Sequence, residues 1–307
     1  MLKKKVIAVV GPTASGKTDI GIMLAKEFDG EIVSADSMQI YKGMDIATAK
    51  PSQEEMQGIP HHLIDFLERD CAFSVADYVN LAGQKINDII SRGRIPIIVG
   101  GTGLYIDSLL DNIKFSETKK DEEYCTSLER FAEEHGNKEL HKLLENVDYE
   151  TASNIHPNNL VRVIRALEVF HTTGKKASEL KAESRLEESP YDALMIGLNY
   201  SSRDILYDRI NRRVDIMVQK GLVEEVGNLY LESGKMKTAS NAIGYKELLP
   251  YFEKTQSLED CIDKIKQETR HYAKRQLTWF RRNEKINWFM LDEFNEKRKI
   301  SQICRKL

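Results

Sequence analysis

Residues 6–18 read Val-Ile-Ala-Val-Val-Gly-Pro-Thr-Ala-Ser-Gly-Lys-Thr, an apolar run followed directly by a glycine-containing loop. Gly11, Gly16, Lys17 and Thr18 stand at the offsets of the phosphate-binding loop motif, G-x-x-x-x-G-K-[ST]. The run before the loop is typical of a buried strand, and residues 20–28 after it carry apolar side chains four apart, as on one helix face. Strand, loop and helix in this order predict an anion site.

The loop has the residue types that a phosphate site needs. Glycines let the backbone fold around an anion, so that its N–H groups and the positive helix end point at phosphate oxygens. Lys17 adds a positive charge, and the Thr18 hydroxyl is placed to ligate a phosphate-bound Mg²⁺. The predicted phosphate-binding residues are Gly11, Pro12, Thr13, Ala14, Ser15, Gly16, Lys17 and Thr18.

Strands and helices alternate through the rest of the first third of the chain and again near its end. Further strands are predicted at 31–36, 95–99, 193–198 and 286–291. This alternation predicts an α/β fold with a doubly wound parallel sheet of the P-loop NTPase type. Ligands of such sheets bind beyond the carboxyl ends of the strands, where this chain has the phosphate loop, Asp36 and Thr102.

The composition changes near Ser116 to charged, helix-forming sequence, and strand patterns return near Asp192. We therefore predict a catalytic core formed by residues 1–115 and 191–307, with an inserted all-helical domain at 116–190. Its strongest helix is predicted over 157–173, started by His156-Pro157-Asn158-Asn159 and stopped by Gly174.

Composition narrows the class of protein. Hydrophobic residues at 41% and charged residues at 30% indicate a soluble globular protein. No apolar run approaches the roughly 20 residues of a membrane span, and the four scattered cysteines indicate neither a zinc site nor disulfides. A cytoplasmic protein without membrane contact is expected. Because the net charge is −3, any nucleic acid must bind to local basic patches.

Asp36, at the end of the second predicted strand, has three interpretations. It can join the hydration shell of a metal ion, act as a general base beside the phosphate site, or cap the turn that begins at Ser37. The more apolar strand at 95–99 ends in Gly100-Gly101 and offers no carboxylate for a metal, which disfavours a motor ATPase.

Several further segments occur in a specific order. They are Ser34–Ile46, Thr48–Pro51, Pro60–Asp65, Gly100–Tyr105, Arg165–Val169, Ala242–Glu247 and Lys274–Arg281. With the phosphate loop, this series resembles the bacterial tRNA dimethylallyltransferase (tRNA isopentenyltransferase) family, from about residue 6 to 283. The resemblance implies transfer of a dimethylallyl group from dimethylallyl diphosphate to N6 of adenosine 37, in tRNAs that read codons beginning with U.

The resemblance also implies roles for individual residues. The phosphate loop would bind the diphosphate leaving group, with Lys17 and Mg²⁺ neutralising its charge. Asp36 would accept the proton of the attacking amine, and Thr102 would contact the target base, which must be flipped out of the anticodon loop. Arg209 and Arg213, four apart on one helix, are candidate clamps for the diphosphate, with a solvated helix face as the alternative.

The resemblance places tRNA contacts, with the anticodon stem-loop as partner, in several segments. They are Asp36, Ser37, Met38 and Gln39; Thr102; Val161, Arg162, Val163, Ile164 and Arg165; and Asn241, Ala242, Ile243, Gly244, Tyr245 and Lys246. Residues 270–282 form a basic stripe with interleaved aromatics, from which Arg275, Gln276 and Arg281 are expected to contact tRNA. Alternatively, Tyr272, Leu277 and Phe280 pack in the core while the charges are solvated.

The phosphate loop and the predicted sheet are also compatible with other functions. A phosphate loop on this sheet would equally serve an ATP-dependent small-molecule kinase, and a non-catalytic RNA-binding protein could retain the loop as a scaffold. An adenylate isopentenyltransferase acting on free nucleotides is a close variant of the tRNA-modifying enzyme. The helical insertion and the basic stripe favour a macromolecular substrate, and the enzyme is expected to be a monomer.

Overall fold

Six parallel strands form one sheet within the residues that the structure, a computed structural model, describes: 3–113, 121–184, 187–231, 236 and 238–307. The strands are β1 (Lys4–Val10), β2 (Gly30–Ser34), β3 (His61–His62), β4 (Ile95–Gly100), β5 (Tyr191–Asn199) and β6 (Ile286–Met290). Their order across the sheet is β3-β2-β4-β1-β5-β6, so that β1 lies near the centre. Ile7 on β1 pairs with Ile97 on β4 and with Leu194 on β5.

Helices cover both faces of this sheet. Before the insertion they are α1 (Lys17–Glu27), α2 (Gln53–Met56), α3 (Val75–Ser91) and α4 (Gly103–Leu110). The inserted helices are α5 (Glu122–His135), α6 (Asn137–Val147), α7 (Tyr149–Ser153), α8 (Leu160–Thr173) and α9 (Ala177–Glu183). After them come α10 (Arg203–Gln219), α11 (Leu222–Tyr230), a 3₁₀ turn (Thr238–Asn241), α12 (Leu249–Phe252), α13 (Leu258–Phe280) and α14 (Glu296–Cys304).

The alternation of side chains along β1 explains the two-faced core. Val6, Ala8 and Val10 pack with α3 and α4 on one face of the sheet, and Ile7 and Val9 pack with α1 and α14 on the other. A strand buried on both faces must be apolar at every position, which the run at 6–10 satisfies. The predicted doubly wound parallel sheet is confirmed.

The chain divides into two compact units. The first comprises Met1–Leu110 and Ser189–Leu307 and contains the sheet; the second is Asp111–Glu188. In its described part the second unit is helical and has its own core, built around Leu140, Leu144, Val163 and Leu167. The domain boundary predicted between 115 and 116 lies outside the described residues.

Several elements differ from the sequence expectation. The strand predicted at 31–36 ends at Ser34, so Asp36 lies in the loop beyond it. The helix predicted over 157–173 begins at Leu160, because residues 156–159 form a turn in which the Asn159 N–H donates to the His156 carbonyl, 2.8 Å. Helix α14, unpredicted, covers the sheet after β6. No helix in the described ranges is long and apolar enough to cross a membrane.

Candidate active site

The phosphate loop connects β1 to α1 in a conformation that requires glycine. Gly11 has φ +146°, and a Cβ atom there would lie 2.5 Å from the Leu198 carbonyl oxygen of the neighbouring strand. Gly16, with φ +85°, is the N-cap of α1. Within the loop the Ser15 N–H donates to the Pro12 carbonyl at 3.3 Å. The loop therefore turns tightly at the carboxyl end of β1 and leads into the positive end of a helix.

Lys17 is bonded to the loop itself. Its Nζ donates to the Pro12 carbonyl oxygen at 2.6 Å. Burial, together with the positive charge of Arg213, lowers the pKa of Lys17 to about 7, although Asp36 acts in the opposite direction. Asp36 thus offsets only part of the effect of burial and of Arg213 on Lys17, and a bound anion would further stabilise the charged form of Lys17.

The structure brings Arg209 and Arg213 of α10 to this loop. Arg213 Nη1 donates to Thr13 Oγ1 at 3.3 Å, and Arg209 Nε donates to the Ala14 carbonyl at 3.1 Å. The Arg209 guanidinium also lies over the ring of Tyr200, 5.0 Å from its centroid. Arg213 is half-buried, and its desolvation lowers its pKa. These contacts place both guanidinium groups beside the loop, where an anion would bind.

Asp36 and Thr102 follow neighbouring strands, β2 and β4. One oxygen of Asp36, Oδ1, accepts the N–H groups of Met38 at 2.9 Å and Gln39 at 3.3 Å. Its Oδ2 accepts no hydrogen bond from the part of the chain that the structure describes. Thr102 Oγ1 accepts the Ser37 N–H at 3.1 Å, which joins the two loops. The capping interpretation of Asp36 is thus correct for one oxygen, and the other remains available for chemistry.

A cavity of about 240 Å³ in the first unit adjoins these groups. Thr13, Asp36 and Arg213 line it together with the cationic side chains of Lys246 and Arg275. The remaining wall is largely apolar and includes Met38, Ala47, Ile210, Val214, Met217, Ile243 and Ile265. An anion on the phosphate loop can therefore carry a short apolar chain that packs against this wall.

Two carboxylates that sequence reasoning missed fix the loops of that wall. Glu225 accepts the N–H groups of Asp45 at 2.9 Å, Ile46 at 2.8 Å and Ala47 at 2.9 Å. Glu247 accepts the Gly244 N–H at 2.8 Å, and burial raises the pKa of the Glu247 carboxyl. No local signal identifies Glu225, because its partners lie about 180 residues away.

Helix α13 contributes a face to the site that the sequence only partly indicated. Thr269 and Tyr272, three apart, both line the cavity with Arg275. Burial raises the pKa of the Tyr272 hydroxyl, which faces Asp36, Thr102 and Gln276. The spacing 269, 272, 276 is helical and is the signal that could have found this face. Tyr272 therefore belongs to the site.

The segments expected to bind tRNA have mixed exposure. On α8, Val161 is 79% exposed, whereas Val163 and Ile164 are buried in the core of the second unit. Arg165 pairs with buried Glu168 at 2.6 Å. Ala242 and Tyr245 are buried in the first unit, where the amide nitrogen of Gln39 donates to the Thr48 and Ala49 carbonyls. Arg162 and Lys246 are among the exposed members of these segments.

Fold and site define the class: an α/β protein with a P-loop, in which the loop and a carboxylate border one partly apolar pocket. Comparison with known proteins gives the family. The family model described as IPP transferase matches residues 39–283. The chain belongs to the IPP transferase family.

Individual relatives align with nearly the whole chain. It is 50% identical to a tRNA dimethylallyltransferase of Thermoanaerobacter sp., covering 94% of this chain and 93% of that protein. A second tRNA dimethylallyltransferase, from Geobacillus thermodenitrificans, is 50% identical, with coverage of 99% and 96%. The crystal structure of a tRNA isopentenylpyrophosphate transferase from Bacillus halodurans aligns with a TM-score of 0.74 at 45% identity, covering 99% and 96%. A eukaryotic dimethylallyltransferase acting on tRNA aligns at 0.83 and 33% identity, covering 98% of this chain and 78% of that one.

Proposed function

We propose that this enzyme transfers the dimethylallyl group of dimethylallyl diphosphate to N6 of adenosine 37, in tRNAs that read codons beginning with U. The products are N6-(dimethylallyl)adenosine and diphosphate. The pocket is the observation that carries the proposal. Thr13 and Arg213 form part of its polar lining, and its apolar wall is suited to a five-carbon chain. Relatives at 50% identity named tRNA dimethylallyltransferase support the same reaction. They disfavour the small-molecule kinase.

Different residues act on the leaving group and on the nucleophile. The N6 lone pair attacks C1 of the dimethylallyl group while the bond from C1 to the diphosphate oxygen breaks. Loop N–H groups, Lys17, Arg209 and Arg213 take the charge that develops on the diphosphate. Asp36 Oδ2 accepts the N6 proton, and the bonds to Oδ1 keep that carboxylate oriented.

We propose Mg²⁺ as the cofactor. Thr18, partly exposed in the first turn of α1, offers a hydroxyl oxygen, a hard ligand of the kind Mg²⁺ prefers. The ion commonly keeps several waters and takes few protein ligands besides substrate phosphates, so one hydroxyl beside the loop fits it. When bound, Mg²⁺ would neutralise charge on the departing diphosphate.

tRNA binding is proposed to use the exposed cations. Arg162 and Arg165 of α8, and Lys246, Arg275 and Arg281 of the first unit, are positioned on or near the surface for phosphates. The target adenine must leave its stack, and Thr102 and Ser37 offer polar groups near Asp36 for it. We expect the enzyme to act as a monomer in the cytoplasm.

The test is nucleoside mass spectrometry. Protein, Mg²⁺, dimethylallyl diphosphate and unmodified tRNA containing A36-A37-A38 should yield N6-(dimethylallyl)adenosine. The same tRNA with A37 replaced by G is the substrate control. Consumption of ATP with a small acceptor, and no modified nucleoside, would establish the kinase instead.

The metal has a separate test. Chelation with EDTA should abolish product, and added Mg²⁺ should restore it. Thr18→Ala should raise the Mg²⁺ concentration required for half-maximal rate several-fold, whereas Thr18→Ser keeps the hydroxyl and should stay close to wild type. An unchanged Mg²⁺ requirement in Thr18→Ala would remove Thr18 as a ligand.

A further inference from the structure

Gln276 of α13 joins two loops that are distant in sequence. Its Oε1 accepts the N–H of Thr13 in the phosphate loop at 2.8 Å. Its Nε2 donates to the carbonyl oxygen of Gly101, next to Thr102, at 2.9 Å. The side chain is only 5% exposed. Gln276 therefore bonds on one side to the loop proposed for the leaving group and on the other to the loop proposed for the attacking base.

Glycine at position 101 allows this bridge. A Cβ atom on Gly101 would lie 2.1 Å from Gln276 Nε2, so no other residue could occupy this position without displacing the amide. Tyr272, one turn before Gln276, faces Thr102 and Gln276 with its hydroxyl. One turn after it, Trp279 Nε1 donates to Asp107 of α4 at 2.6 Å. Consecutive turns of α13 thus fix Gln276 against the two loops.

We propose that Gln276 is a positioning residue, which sets the separation between the diphosphate loop and the Thr102 loop and so aligns the leaving group with the nucleophile. This inference rests on the proposed function. It assigns Gln276 a role different from the tRNA contact expected from the sequence, because both ends of its buried amide bond to protein. Displacement of one reactant by about 1 Å can cost 10²-fold in rate, so a bridge of two hydrogen bonds has a measurable effect.

Two variants separate this role from others. Gln276→Met keeps a similar shape and removes both hydrogen bonds. Gln276→Glu retains an acceptor for the Thr13 N–H but places a carboxylate oxygen against the Gly101 carbonyl. Gln267→Met is the matched control, because Gln267 lies on the exposed side of the same helix and its side chain accepts a hydrogen bond from Lys264 Nζ at 3.1 Å.

Steady-state kinetics of tRNA modification distinguish a positioning role of Gln276 from an RNA contact. We expect kcat to fall about 10- to 100-fold in Gln276→Met and in Gln276→Glu, with KM for tRNA within about twofold of wild type. Gln267→Met should retain the wild-type kcat. If Gln276→Met does not fold, as judged by its melting curve, Gln276→Glu decides alone.

Two outcomes would overturn the assignment. A kcat within twofold of wild type in the folded variants would show that the bridge does not align the reactants. An increase in KM for tRNA at unchanged kcat would make Gln276 an RNA contact. Failure of the proposed function itself would be distinct, because wild-type protein would then form no modified nucleoside.

Discussion

At the residue scale, Lys17 shows how the phosphate loop is prepared for an anion. Its ammonium group donates to the Pro12 carbonyl, and its pKa of about 7 lies well below the ordinary value of 10.5. Burial and the charge of Arg213 disfavour the protonated form, so a bound diphosphate would raise this pKa again. Ligand binding above pH 7 therefore requires uptake of a proton.

The first prediction concerns pH. The affinity for dimethylallyl diphosphate, divided by that of Lys17→Arg at the same pH, should be nearly constant below pH 6 and fall between pH 7 and 9, by at most tenfold per unit. Calorimetry at pH 8 in buffers of different ionisation enthalpy should detect the proton. The ligand titrates identically with both proteins, so the difference between them reports Lys17. Lys17→Arg, which stays charged, should therefore take up fewer protons than wild type at pH 8. Equal pH dependence in both would contradict the explanation.

The second prediction concerns Asp36. In Asp36→Asn the side-chain oxygen can still accept the Met38 and Gln39 N–H groups, so the turn is preserved while the base is lost. We expect kcat to fall about 10²- to 10⁴-fold. Binding of tRNA, measured by filter retention, should change by less than about threefold. A parallel loss of binding and rate would make Asp36 a recognition residue.

At the element scale, the features that could be predicted from the sequence are those that depend on local pattern. The strand, loop and helix around Gly11–Thr18 could be predicted because burial on both faces and the glycine spacing are local properties. Arg209 and Arg213 could be nominated, but not placed, since their contacts with the loop span about 200 residues. The contacts of Glu225 depend on how distant loops and helices pack. Helix α14 begins with four charged residues and has few buried residues to reveal it. A local sequence pattern does not show which distant residues pack together.

The third prediction concerns the loop held by Glu225. Glu225→Ala leaves three backbone N–H groups without their acceptor and should lower the free energy of unfolding by about 1–3 kcal/mol. KM for dimethylallyl diphosphate should rise, because Ala47 lines the pocket. Urea denaturation and steady-state kinetics measure the two effects. Glu224→Ala, a neighbouring substitution at an exposed position, should change stability by less than about 0.5 kcal/mol; equal effects in both variants would refute the role of Glu225.

At the scale of the whole molecule, the chain combines a sheet-containing unit and a helical unit with separate cores. The phosphate loop, Asp36 and the two arginines of α10 belong to the first unit, whereas Arg162 and Arg165 belong to the second. Separate cores predict that the first unit keeps its structure without the second.

The fourth prediction concerns this division. Replacement of residues 111–188 by a short Gly/Ser linker should leave a protein that unfolds cooperatively and binds dimethylallyl diphosphate within about threefold of wild type. Its tRNA affinity should fall at least tenfold, and the slope of log affinity against log salt should become shallower, because phosphate contacts are lost. Charge removal at Arg162 and Arg165 in the full chain is the comparison. Unchanged tRNA affinity of the shortened protein would exclude contacts from the second unit.

The junction of the insertion has a further consequence. Ser189 Oγ donates to the Leu110 carbonyl oxygen, so the chain leaves the first unit and returns to it at neighbouring points. The entropy of closing such a loop grows only with the logarithm of its length, and each doubling costs about 0.6 kcal/mol. The free energy of folding of the sheet therefore depends only weakly on the number of residues inserted between Leu110 and Ser189. Evolution can lengthen, shorten or exchange this segment without disturbing the sheet that positions the phosphate loop and Asp36.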